Sequence, residues 1–322
     1  MRVRPSPLPG CGCDTARLGG FALSVLLLLT AIGQAAAQTI ITDFLDMENG
    51  NNGAVATAAL AAGTAVGTSG TWTEGEGRPA ISSSSQLKIS TAHVRPPRGD
   101  IQIGGTVLPN NPSTKSYVKK ITAGTDFEYI DYILKSPRPL KVSVGMFMFF
   151  SSAGDSWSGT WYDYYDLFAM TGVGGVNYLV LSVQTLGGAD STPLSFNIHT
   201  DVVPCNSGVE LMQASVDKWY WVTMLYDYSG STMNARMEIY DAETWVRLGA
   251  GSCALPSLGS GSKPLWRVSV GQIDNHGNPN HNSDYYMDDF MMDVNGSFPI
   301  LPKPTSGGTR PAAPQGLRVV VQ

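Results

Sequence analysis

Hydrophobic positions fall at every second residue over much of the chain. Val142, Val144, Met146, Met148 and Phe150 keep this period, and Phe127 to Leu134 starts with aromatic or aliphatic residues alternating with acids, the pattern of a strand with one buried face. Tyr178 to Val183, Leu194 to His199, Arg236 to Tyr240, Trp266 to Val270 and Tyr285 to Val294 are short, rich in β-branched and aromatic residues, and divided by Gly, Asp, Asn, Ser and Pro. In Trp219 to Tyr226, Trp219, Trp221, Thr223 and Leu225 share one face and Tyr220, Val222, Met224 and Tyr226 the other, which predicts a central strand. No long stretch carries a 3.6-residue apolar repeat. The pattern predicts an all-β domain, an antiparallel sandwich of two packed sheets. Residues 51 to 70, mostly Ala, Gly and Thr, offer few large side chains and predict surface loop or edge structure.

The first 37 residues stand outside that pattern. Arg2, Arg4 and Arg17 precede an apolar run from Phe21 to Ile32, which ends in Ala35-Ala36-Ala37 before Gln38, the three parts of a secretory signal peptide with an A-x-A cleavage site. The run is about twelve residues, and a membrane-spanning helix needs about 20. The sequence therefore predicts a secreted or cell-surface protein with no transmembrane segment after cleavage, whose sandwich occupies residues 38–300. Residues 301–314 form a Pro/Gly/Thr linker, extended by composition.

Export changes the charge and thiol counts. The leader carries three arginines and one aspartate, so the mature chain keeps 18 of 21 basic and 25 of 26 acidic residues, a net charge of −7. Such a surface repels phosphate backbones, which excludes nucleic acid as a partner class. Of four cysteines, Cys11 and Cys13 leave with the leader. Cys205 and Cys253 remain, an even pair predicting one disulfide across a loop of about 48 residues; no Cys or His stands at ligand spacing for zinc.

Three passages together resemble the concanavalin A-like lectin/glucanase superfamily in its laminin-G-like, jelly-roll form. They are Thr42-Asp-Phe-Leu-Asp-Met-Glu-Asn-Gly50, then Asp217-Lys-Trp-Tyr-Trp-Val-Thr-Met-Leu-Tyr-Asp227 with Met237-Glu-Ile-Tyr-Asp241, and Tyr285-Tyr-Met-Asp-Asp-Phe-Met-Met-Asp293. The resemblance spans most of residues 38–298 and implies that the first and last strands lie side by side. Pro311-Ala-Ala-Pro314-Gln-Gly-Leu317-Arg-Val-Val-Val-Gln322 resembles the first strand of a fibronectin type III domain. The resemblance implies that 315–322 are the truncated start of a second domain in a multidomain protein; the alternative is a tail.

Candidate chemistry clusters in a few places. Between Asp155 and Asp166 two Trp and three Tyr, namely Trp157, Trp161, Tyr162, Tyr164 and Tyr165, stand among Gly, Ser and Asp on an expected loop. Flat rings beside carboxylate acceptors complement the CH faces and hydroxyl rims of sugars, so these five are the ligand-binding candidates. Asp43, Asp46 and Glu48 with Asp288 supply oxygens for a structural Ca²⁺ joining the terminal strands. In a regular strand Asp288 and Asp289 point to opposite faces. His276 and His281, flanked by Asp274 and Asp284, sit in a second expected loop, which reads as solvated turn structure. Arg98-Gly99-Asp100 is too short a match to integrin-type ligands to carry weight, and Asn295-Gly-Ser297 is a glycosylation sequon.

A glucanase of this superfamily carries E-x-D-x-x-E. The nearest match is Asp126-Phe-Glu128-Tyr-Ile-Asp131, with Asp and Glu exchanged at all three positions and Asp131 on the opposite face of a regular strand. No G-x-S-x-G elbow is present. The reading is a non-catalytic module binding polysaccharide or glycan. The alternatives are a structural or adhesive spacer without a glycan ligand, and a diverged polysaccharide hydrolase or lyase.

Overall fold

The computed structural model describes residues 38–74, 86–121, 128–154, 164–173, 178–185, 194–199, 213–256, 264–276 and 283–304. Among them are eighteen strands and one short helix. Two large antiparallel sheets make a jelly-roll sandwich. One has the order β16(Arg247–Pro256), β15(Thr232–Asp241), β14(Trp219–Asp227), β9(Lys141–Gly154), β18(Ser283–Asp293), β7(Ser116–Ile121), β4(Leu87–Ser90). The other runs β13(Gln213–Ala214), β12(Leu194–His199), β11(Tyr178–Thr185), β10(Tyr164–Gly172), β17(Leu265–His276), β8(Glu128–Leu134), β3(Gly70–Glu74).

The alternation seen in the sequence fills the space between the sheets. From β9, Val144, Met146 and Met148 face Leu181 of β11 and Phe168 of β10, all buried in one continuous core. β14 is central, paired with β15 on one side and β9 on the other, and every residue from Trp219 to Tyr226 is buried. Its second face is covered by a third layer, β1(Thr39–Ile41), β5(Ile101–Ile103) and β6(Thr106–Leu108), in which β1 and β5 run parallel. Ile41, Ile101 and Ile300 there pack on Phe147, Trp221 and Trp245. Trp221 lies so close over β9 that a Cβ at Gly145 would fall 2.2 Å from its ring, so only glycine fits. Its indole N–H donates to the Ile300 carbonyl at 2.8 Å.

The terminal strands meet as the resemblance implies: β2(Asp43–Leu45) pairs antiparallel with β18, Leu45 opposite Phe290. Two local expectations are corrected. Residues 51–70 contain a helix, α1(Ala58–Thr64), capped by Thr57 accepting from the Leu60 amide, with Ala58 and Ala61 buried. Alanine is the best helix former but too small to mark an apolar stripe. Asp288 and Asp289 do not point to opposite faces either. Asp288 stands opposite Phe147 and Met291 opposite Gly145, so β18 spends three residues where β9 spends two. In this bulge Asp289 takes φ 46°, and both carboxylates turn to the outer side of the sheet.

Candidate functional site

β10 and β17 lie side by side in the middle of the seven-stranded sheet, running in opposite directions. The start of one therefore meets the end of the other: Tyr164 stands opposite His276, Tyr165 opposite Asn275, and Asp166 opposite Asp274. The two segments expected to be separate loops are adjacent strand ends at these positions, which corrects the placement of Tyr164, Tyr165 and His276. The aromatic run missed strand status because Gly, Ser and Asp surround it, whereas pairing with β11 and β17 is non-local. Trp157, Trp161, Tyr162 and His281 lie outside the described residues.

This end of the sandwich gathers more than one connection. β3 finishes there, β8 starts there beside Gln272 of β17, and β11 hands over to β12 there, Thr185 opposite Leu194. In the facing sheet, Ser283 at the start of β18 stands opposite Ile121 and Gly154, the last residues of β7 and β9. The strand ends bounding 75–85, 122–127, 155–163, 186–193 and 277–282 thus share one end of the fold.

The outer face of the same sheet carries both polar and apolar groups. Asp131 is fully buried there; Ser269 Oγ donates to its Oδ1 at 2.5 Å, and Arg267 Nη1 lies 3.4 Å from its Oδ2. The Arg267 guanidinium stacks 5.1 Å over Trp266. Tyr129, Ala169, Val180 and Ile273 form a small apolar patch on this face. Glu128 faces the other way, as strand alternation requires: its Oε2 accepts from the buried Lys119 ammonium at 2.6 Å, and it caps the Gln86 amide. Asp126 lies outside the described residues.

The four acids expected to hold calcium are engaged separately. Asp43 accepts from Tyr132, Ser69 and Thr42. Asp46 caps the Glu48 amide, and Glu48 accepts from the Thr114 amide and hydroxyl and the Lys115 amide. Asp288 accepts from Ser113 Oγ at 2.7 Å and lies 3.9 Å from Arg95 Nε, while Asp289 pairs with Arg95 at 2.5 Å and Arg98 at 2.7 Å. Among the described residues, no three His, Cys, Asp or Glu side chains group so as to hold a metal ion. Arginines supply the positive charge beside Asp288 and Asp289. Sequence reasoning missed Arg95 and Arg98, which carry no local signal of burial. The Arg98-Gly99-Asp100 tripeptide is not displayed, since Arg98 is buried in its ion pair.

Cys253, on β16 opposite Ala235, is buried and disulfide-bonded; Cys205 lies outside the described residues, as do 1–37 and 305–322. No described helix is long and apolar enough to cross a membrane.

No protein-family model matches the chain, and no curated protein matches it. Solved structures similar to it include the marine PL-14 alginate lyase from Aplysia kurodai, at 9% identity over 64% of this chain and 86% of that one, with a TM-score of 0.40. An alginate lyase from Chlorella virus is 9% identical over 65% and 93%, at 0.36. A GH131 β-glucanase catalytic domain from Podospora anserina is 14% identical over 59% and 75%, at 0.35. Likeness at this level says nothing of what the chain binds or does, and its architecture rests on the strand registers above.

Proposed function

We propose that this is the exported, non-catalytic carbohydrate-binding module of a longer protein, and that it holds a glycan at the end of the sandwich where β10 and β17 meet. The observation that supports this is their register, which sets Tyr164, Tyr165 and Asp166 against His276, Asn275 and Asp274. The connection bearing Trp157, Trp161 and Tyr162 leads directly into Tyr164. Aromatic rings and short polar side chains on neighbouring strand ends provide the stacking surface and the hydrogen-bonding rim that a sugar ring needs. A leader cleaved before Gln38 and a Cys205–Cys253 disulfide complete the proposal, since both belong to an exported domain.

The test is a glycan array probed with the purified chain, followed by titration of each hit against Trp157→Ala and Trp161→Ala. Loss of one stacked ring weakens binding by tenfold or more, at about 1.4 kcal/mol per factor of ten. Absence of binding to every glycan overturns the proposal and leaves the spacer reading.

A further inference from the structure

A cavity of about 160 Å³ opens between α1, β2, β3 and β8, apart from the strand ends assigned to glycan. Its walls include Asp43, Phe44, Trp72, Tyr132 and Phe290. Trp72 sits at the centre of the aromatic group, 5.0 Å from the Tyr132 ring and 5.6 Å from Phe290. Part of the remaining wall is bare backbone, at Gly67 and Gly70. Gly67 has φ 124°, and a Cβ there would fall 2.3 Å from Asp43 Oδ1; one at Gly70 would fall 2.6 Å from the Tyr132 ring. Any side chain at either position would fall on the carboxylate or the phenol.

Asp43 is the unusual member. It is 3% exposed, and its donors are all neutral: Tyr132 OH at 2.7 Å and the Ser69 amide at 3.0 Å on Oδ1, and Thr42 Oγ1 at 2.7 Å on Oδ2. Among the described residues no Lys, Arg or His forms an ion pair with it, whereas buried Asp289 has two arginines. A carboxylate offers about four lone-pair sites, so three donors leave acceptor capacity on Oδ2. Burial and the hydrogen bond to Asp43 push the Tyr132 phenol far above its ordinary pKa, so it stays a donor. Buried carboxylates are costly without a compensating charge.

We propose that this cavity binds a compact organic cation, an alkylated ammonium whose charge faces Asp43 and whose alkyl groups lie against Trp72 and Tyr132. Aromatic faces attract a desolvated cation by about 2 kcal/mol, and quaternary ammonium groups are the ligands aromatic cages hold best. The size agrees, since an apolar cavity of about 150 Å³ accommodates benzene. Ala62 and Val66 at the rim are exposed, so the cavity can be reached from solvent.

Calorimetric titration of the full chain with choline and with its neutral isostere 3,3-dimethylbutan-1-ol tests the assignment. Choline saturates a single site, and the isostere binds at least tenfold more weakly. Asp43→Asn and Ala62→Phe each weaken choline tenfold or more. Ala62→Phe closes the mouth at an exposed position and leaves the thermal midpoint unchanged, which separates loss of the site from loss of the fold. Lack of saturable choline binding, equal affinity for the two compounds, or choline binding untouched by Ala62→Phe overturns the proposal. Glycan binding at the β10–β17 end is read separately and does not depend on either result.

Discussion

Arg98 Nε stands 2.7 Å from Asp289 Oδ2, a buried contact between residues 191 positions apart. It fastens the segment before β5 to the bulge of β18, with the guanidinium also donating to the Gly99 carbonyl and lying 5.0 Å over the Phe44 ring. Removing one member of a buried pair leaves the other charged and desolvated. Arg98→Met therefore lowers unfolding free energy by about 3–5 kcal/mol, read from urea denaturation. A loss below about 1 kcal/mol would show that Arg95 alone neutralises Asp289.

The same cluster makes stability depend on pH. Burial first, and the neighbouring Asp289 second, hold the Asp288 carboxyl well above the usual carboxylate range, with Arg95 opposing. Burial also raises Asp289, against Arg95 and Arg98. A raised folded-state pKa means the folded chain keeps a proton that the unfolded chain has released. The contribution is fully present below the unfolded value of about 3.9 and is lost as pH rises through the folded value. Asp288→Asn imitates the protonated form, and Ser113 Oγ can turn to donate to the Lys115 carbonyl instead. Urea midpoints measured from pH 4 to 8 should fall less steeply with rising pH in this variant than in the parent; equal slopes would place the titration elsewhere.

How far the fold was legible follows from what is local. β9, β12 and β14 could be read because their side chains alternate or bury on both faces, a property of a few consecutive residues. The bulge at Asp288–Asp289 could not, because it exists only in the register with β9. Nor could the β10–β17 pairing, the third layer over Trp221, or the arginines beneath it, each of which joins residues far apart in sequence. Within the candidate site, the residue types were visible and their adjacency was not.

The disulfide is open to a direct check. Cys253 is buried on β16, and Cys205 is its expected partner once the leader is removed. Non-reducing peptide mapping of secreted protein should give one cross-linked pair, Cys205 with Cys253, and a mature amino terminus at Gln38. Cys253→Ser should cost about 4 kcal/mol, the chain entropy of a loop of about 48 residues. A retained leader cysteine bonded to Cys253 would defeat both the pairing and the cleavage expectation.

The choice between binder and hydrolase turns on Glu128 and Asp131. Two carboxylates acting on one glycosidic bond must enter the same cleft, about 5–5.5 Å apart in a retaining enzyme. Here they leave β8 on opposite faces: Glu128 is spent on the Lys119 ammonium and the Gln86 amide, and Asp131 on Ser269 and Arg267. Glu128→Gln should therefore lower stability, by about 2 kcal/mol given its partial exposure, because its ion pair with the buried Lys119 ammonium loses one charge. Binding to any glycan hit should stay within twofold of the parent. Polysaccharide cleavage by the parent that vanishes in a folded Glu128→Gln protein would instead make Glu128 catalytic, and the module an enzyme.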